Sequence, residues 1–190
     1  MTRAPTRDRV LDAAATVFAA RGFEGATTRE IAAAAGINIA TLHYHHSDKR
    51  TLYDAVVARV YERLLELPGL DLNPNPSLDR EQRLRGFVAV LFGFVCAHRE
   101  EIRVLLRHVL DTHRLPAAVS ERWIHEVIPR VQRICIALDV DMAAHRLDLL
   151  SLNHLFARYA ITDEADLLQI GVDRATLEQH LGDVAVQLLR

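Results

Sequence analysis

Residues 27–49, TTREIAAAAGINIATLHYHHSDK, hold most of the side chains in the N-terminal quarter that could do chemistry. Hydroxyls, an arginine, a tyrosine, a lysine and three histidines crowd the two ends of this stretch, on either side of an alanine-rich middle. Residue types of this kind hydrogen-bond phosphate oxygens and base edges. Histidines 43, 45 and 46 also raise metal ligation. On a helix His43 and His46 share a face, whereas His45 points elsewhere, so the three cannot close on one ion. No metal site is assigned. Covalent chemistry finds no support: there is no nucleophile elbow, no phosphate-binding glycine loop, no HExxH helix and no supported carboxylate pair. No catalytic residue and no cofactor are expected.

The elements that must position these side chains follow from periodicity and caps. Residues 7–21 place Val10, Ala14, Val17 and Phe18 on one helical face, and Gly22 offers a stop. Thr27 with Glu30 three residues later is a capping-box pair that starts a second helix. That helix ends at Gly36, where a left-handed turn suits glycine. Asn38 can cap a third helix anchored by Leu42, and Ser47 or Asp48 a fourth with Leu52, Val56, Val60 and Leu64 as its stripe. Ile31, Ala32, Ala35, Ile37 and Leu42 are apolar where two crossed helices must touch, and Ala32 is small enough to let them approach. Such a helix-turn-helix would present its second helix to DNA.

Gly22-Phe23, Thr28, Ile31-Ala32, Ala35-Gly36, Thr41-Leu42, Tyr44, His45 and Lys49 stand in the register of a known pattern. Residues 7–52 closely resemble the N-terminal domain of the TetR family of transcriptional regulators. The resemblance implies a homodimer whose third helices enter successive major grooves of a pseudo-palindromic, double-stranded operator. It implies phosphate contacts from Thr27, Thr28, Tyr44, His45 and Lys49. Arg29, Ile39, Ala40, Thr41 and His43 become the residues for base edges, and Asn38 stands at the head of the reading helix. Arg29 can fork onto guanine, while Ile39, Ala40 and the Thr41 methyl can pack on thymine methyls. Three residues depart from the family's pattern. Ile39 stands at a usually polar position, His43 replaces tyrosine, and His46 replaces a largely buried phenylalanine, so its ring needs a partner or a wetter edge.

Charge distribution agrees with two layers of function. Net charge is −2, but residues 1–52 carry seven Lys/Arg against five Asp/Glu, and residues 53–190 carry 16 against 20. A mildly basic head on an acidic body suits a DNA reader (1–52) followed by a regulatory and dimerisation domain (53–190), with the helix from about residue 48 connecting them. Beyond a proline-rich boundary at 68–78 only helical periodicity is found. Helices are expected at 78–98, buried on most sides, at 100–113 with Ile102, Leu105, Leu106 and Val109 inward, and, after a break at Pro116, through Trp123–Leu138, where Pro129 should kink or restart the path. Two more fall near 141–161, with Leu147, Leu150 and His154 as its stripe, and 174–189, with Leu177, Leu181, Val184 and Leu188. The fold class is all-α, with about nine helices.

The last two helices are the expected dimer interface, on the strength of the resemblance. His98, Asn153, His154 and Arg158 are candidates to line a cavity for an unidentified small-molecule effector. Cys96 and Cys135 match no ligand spacing and read as reduced core residues. No apolar run suits a membrane span and the first ten residues lack a secretory core, so a cytoplasmic location is expected. A ligand-responsive repressor is the leading reading. A DNA-binding architectural or protein-regulated factor without a small-molecule ligand, and a helical enzyme with a relic DNA-binding domain, are the alternatives.

Overall fold

The computed structural model describes residues 6–66, 77–115 and 117–190. These form α1 (Thr6–Gly25), α2 (Thr28–Ala35), α3 (Ile39–His45), α4 (Lys49–Glu66), α5 (Arg80–Ala97), α6 (Arg99–Thr112), α7 (Ala117–Arg122), a π-helical turn (Trp123–Val127), α8 (Ile128–Ala137), α9 (Arg146–Ala160), α10 (Glu164–Gln169) and α11 (Arg174–Leu188). The fold is all-α, with no strand among the described residues. Most of the proline-rich boundary at 68–78, and Pro116, lie outside them. The chain packs as two compact units, residues 1–63 with 100–121, and residues 64–99 with 122–190.

In the first unit, α1 buries Val10, Leu11, Ala14, Ala15, Phe18 and Ala19, a wider face than the four-residue stripe, with Val17 only half-buried. Gly22 takes φ 70°, which ends the regular part of α1 and brings Phe23 back onto Phe18. Tyr53 of α4 meets both rings edge-on, at centroid distances of 5.0 and 5.1 Å. Its hydroxyl donates to the Val104 carbonyl of α6.

The buried face of α6 differs from the expected one. Glu101, Ile102, Val104 and His108 are inward, while Leu105, Leu106 and Val109 are half-buried and Leu110 is exposed. Charge pairing explains the rotation. Glu101 forms ion pairs with Arg59 and Arg63 of α4, and both arginines also reach Asp12 of α1. A buried carboxylate with two guanidiniums is tolerable where an unpaired one is not, and apolar periodicity does not register such a pairing.

In the second unit, Asp79 and Gln82 form a capping box at the start of α5. This helix buries Leu84, Val88, Phe92, Phe94 and Val95 but leaves Gly86, Val90 and Ala97 exposed, so it is amphipathic within the chain rather than enclosed. α11 lies along α5 through Leu177, Leu181, Gly182, Ala185 and Val186, and α9 adds Phe156 against Phe92. Arg85 ties the pair by bonding Glu81 and Asp183, each at 2.7 Å. Of the two outcomes expected at Pro129 the restart is found: the π-helical turn ends at Val127, α8 begins at Ile128, and Pro129 sits in its first turn, where a missing N–H costs nothing. Neither Cys96 nor Cys135 forms a disulfide, and burial raises both thiol pKa values.

Candidate nucleic-acid interface

The turn between α2 and α3 is set by backbone hydrogen bonds. Gly36 sits at φ 65°, ψ 38°, its N–H donates to Ala33, and the Ile37 N–H donates back to Ala32 at 3.0 Å. A side chain with a Cβ is strained in that conformation. Arg9 of α1 reinforces the turn by donating to the Ala35 carbonyl at 2.8 Å. At the other end of α2 the capping box is complete: the Thr27 hydroxyl accepts from the Glu30 N–H, and the Glu30 carboxylate accepts from the Thr27 N–H and hydroxyl. That carboxylate's pKa is lowered by the Thr27 side-chain and backbone hydrogen bonds.

Asn38 caps α3 by accepting from the Thr41 N–H at 2.7 Å. Leu42 is fully buried, and the remaining positions sort by their angle around the helix. Ile39, Ala40, His43, Tyr44 and His45 are exposed, Tyr44 to 86%, while Thr41 is half-buried. Arg29 and Thr27 are exposed on α2 and Thr28 is half-buried. The structure thus gathers the expected DNA-facing residues onto α3 and the start of α2, and it sets His46 apart, turned inward as the C-cap of α3.

Lys49 has another occupation than the phosphate expected from the resemblance. Its ammonium donates to the carbonyls of Phe23 (2.8 Å), Ala26 (3.2 Å) and Glu24 (3.4 Å) and lies 4.5 Å from the Phe23 ring centroid. Carbonyls left open where α1 ends are acceptors that attract a cation. Asp48, rather than Ser47, caps α4 by accepting from the Thr51 N–H at 2.7 Å. Sequence reasoning left out Arg9, Arg59 and Glu101, whose partners are 26 to 51 residues away in the chain. No local signal marks them.

The four effector candidates do not converge. α9 buries Leu152, Phe156 and Ala160, which turns Asn153, His154 and Arg158 outward. Arg158 bonds Thr162, and His98 caps α5 with its ring 4.6 Å from that of Phe94. A groove of about 500 Å³ runs between α5 and α11, lined by Arg85, Ala89, Arg174, Ala175, Glu178, Gln179 and Gly182, and none of the four reaches it.

Residues 10–56 match the model of the bacterial regulatory proteins of the tetR family. Residues 10–56 are thus a TetR-family DNA-binding domain. FasR of Mycolicibacterium smegmatis, an HTH-type transcriptional activator, is 29% identical over 80% of this chain and 68% of its own length. The HTH-type transcriptional repressor NicS of Pseudomonas putida is 31% identical over 53% of this chain and 46% of its own. A TetR-like transcriptional regulator from Rhodococcus sp. RHA1 shares the fold across 98% of this chain and 97% of its own, with a TM-score of 0.68 and 24% identity. The TetR relatives are transcriptional regulators, and this chain is a DNA-binding transcriptional regulator rather than an enzyme. No described helix is long and apolar enough to cross a membrane.

Proposed function

We propose that this chain is a one-component, ligand-responsive repressor that binds a pseudo-palindromic operator as a homodimer. The observation that carries the reading is the outward face of α3, where Ile39, Ala40, His43 and a Tyr44 that is 86% exposed project together while Leu42 anchors the helix behind them. That face combines apolar, phenolic and imidazole groups suited to thymine methyls, phosphates and base edges. Thr28, Tyr44 and His45 hold phosphates. The Thr27 hydroxyl is engaged in the capping box and Lys49 in carbonyls, so both act first by fixing the reader's shape. Arg29, Ile39, Ala40, Thr41 and His43 read base edges, with Asn38 setting the start of the helix.

Dimerisation places two such helices about one helical turn of DNA apart, roughly 34–36 Å. Leu147 and Leu150, exposed on α9 beside His154, support a second copy docking through α9, with α11 completing a four-helix contact. The domain division is the DNA reader at 1–52, carried by α4 into a regulatory body at 53–190. An effector that binds one conformer of that body better changes the separation of the recognition helices. A coupling of about 1–3 kcal/mol lowers operator affinity roughly 5- to 150-fold.

Selecting bound fragments from random DNA with the full chain tests this reading. A two-fold symmetric sequence is the expected product. Enrichment of an asymmetric site, or none, sinks the dimeric operator reading. Operator binding that responds to a protein fraction and to no small molecule would replace the effector with a protein partner.

A further inference from the structure

His46 closes the recognition helix. Its backbone N–H donates to the Leu42 carbonyl at 2.9 Å, so α3 ends properly only while this residue stays in place. Its side chain is 5% exposed, and Nε2 is buried without a hydrogen-bond partner among the described residues. A neutral imidazole offers one donor and one acceptor, and a protonated one offers two donors and a charge. The pocket suits neither form well, and the charged form far less.

Among the described residues, none supplies a compensating anion. Burial, Arg7 of α1 and His45 of α3 all oppose a positive charge on the ring, and they lower its pKa in that order. At the start of α4, the Asp48 carboxylate accepts from Thr51, Lys49 donates to α1 carbonyls, and Arg50 pairs with Asp54.

We propose that His46 makes DNA binding acid-sensitive: protonation drives its ring out of the core, releases the C-terminal end of α3 and takes the recognition helix out of its reading geometry. This rests on the operator-binding reading of α3. The direction of the effect separates His46 from its neighbours. His43 and His45 stand on the exposed face, where positive charge beside phosphates tightens binding. His46 loosens it. The unfolded or opened ring takes up a proton near pH 6.5, which the native pocket refuses. The loss therefore begins near that pH and grows towards lower values, by up to about tenfold in the opening equilibrium per pH unit, until the lowered native pKa is passed. His108 is a second buried histidine of the same unit, on α6 beside Tyr53, with its pKa lowered by burial and by Arg50 against the opposing pull of Asp54 and Asp111. It requires its own control.

The test uses the full chain as wild type, His46→Phe, His46→Gln and His108→Phe between pH 7.5 and 5.0 at fixed ionic strength. Urea unfolding reads the first arm, and anisotropy of a labelled duplex recovered by the random-DNA selection reads the second. Wild type should lose up to about fivefold in duplex affinity between pH 6.5 and 5.5 and lose stability over the same range. His46→Phe and His46→Gln should bind with a flat or rising profile as pH falls, while His108→Phe keeps the wild-type loss of affinity. Parallel profiles for wild type and both His46 variants overturn the proposal. Failure of the operator reading has a different signature, no duplex bound even at pH 7.5, and the unfolding arm then still shows whether His46 is the acid-labile group.

Discussion

Lys49, Arg29 and His46 are three polar residues whose surroundings give them three different tasks. Lys49 spends its ammonium on carbonyls where α1 ends, so Lys49→Met, which keeps the stem and removes the donors, should cost about 1.5–3 kcal/mol in urea unfolding. An unchanged midpoint would return Lys49 to the phosphates. Arg29 is exposed at the start of α2, and Arg29→Ala should relax preference at one operator position by about 1–3 kcal/mol when sites are compared. Equal weakening on every sequence would make it a backbone clamp. His46 leaves a ring nitrogen buried without a partner. His46→Phe should therefore stabilise the chain at pH 7.5, by about 1–3 kcal/mol if the phenyl ring fills the same space, and a loss of stability there would show that the imidazole is well accommodated.

At the scale of elements, the first unit is held by a charged junction as much as by its apolar faces. Arg59 and Glu101 are 4% and 3% exposed, and they bind α4 to α6 while Asp12 brings in α1. Removing one partner strands the other's charge in the interior. Glu101→Ala is expected to cost about 3–5 kcal/mol by urea denaturation, whereas Asp54→Ala, which breaks the exposed Arg50–Asp54 pair, should cost less than about 1 kcal/mol. Similar losses for the two would mean that the junction is hydrated. α6 thus belongs energetically with the reader, which is why the compact unit extends beyond residues 1–52.

For the whole molecule, the test of assembly must spare the core. Deleting residues 174–190 would remove Leu177, Leu181, Ala185 and Val186 from against α5 and would unfold the second unit rather than merely separate protomers. Leu147→Asp with Leu150→Asp is the better probe, because both side chains are exposed on α9 within one chain. Sedimentation should show a monomer with unchanged helical content. A persistent dimer would move the interface elsewhere.

The sequence by itself determined the features that depend on near neighbours. Thr27 and Glu30 announce a capping box, Gly36 a left-handed turn, and Leu42 an anchor, because each acts through residues within about four positions. The helix-turn-helix and its outward residues were legible for that reason. The stripes read for α1 and α4 are largely buried as well, whereas tertiary structure alone decided the inner faces of α6 and α9. In α9 the stripe through Leu147, Leu150 and His154 is the exposed one, and Leu152, Phe156 and Ala160 are buried. In α6 a glutamate and a histidine displaced leucines from the interior, since their partners come from α4, about 40 to 55 residues away in the chain, a separation at which apolar periodicity carries no information. Lys49 and His46 follow the same rule. Their residue types were plain, but whether a phosphate, a carbonyl or nothing stands opposite depends on how α1, α3 and α4 close on one another.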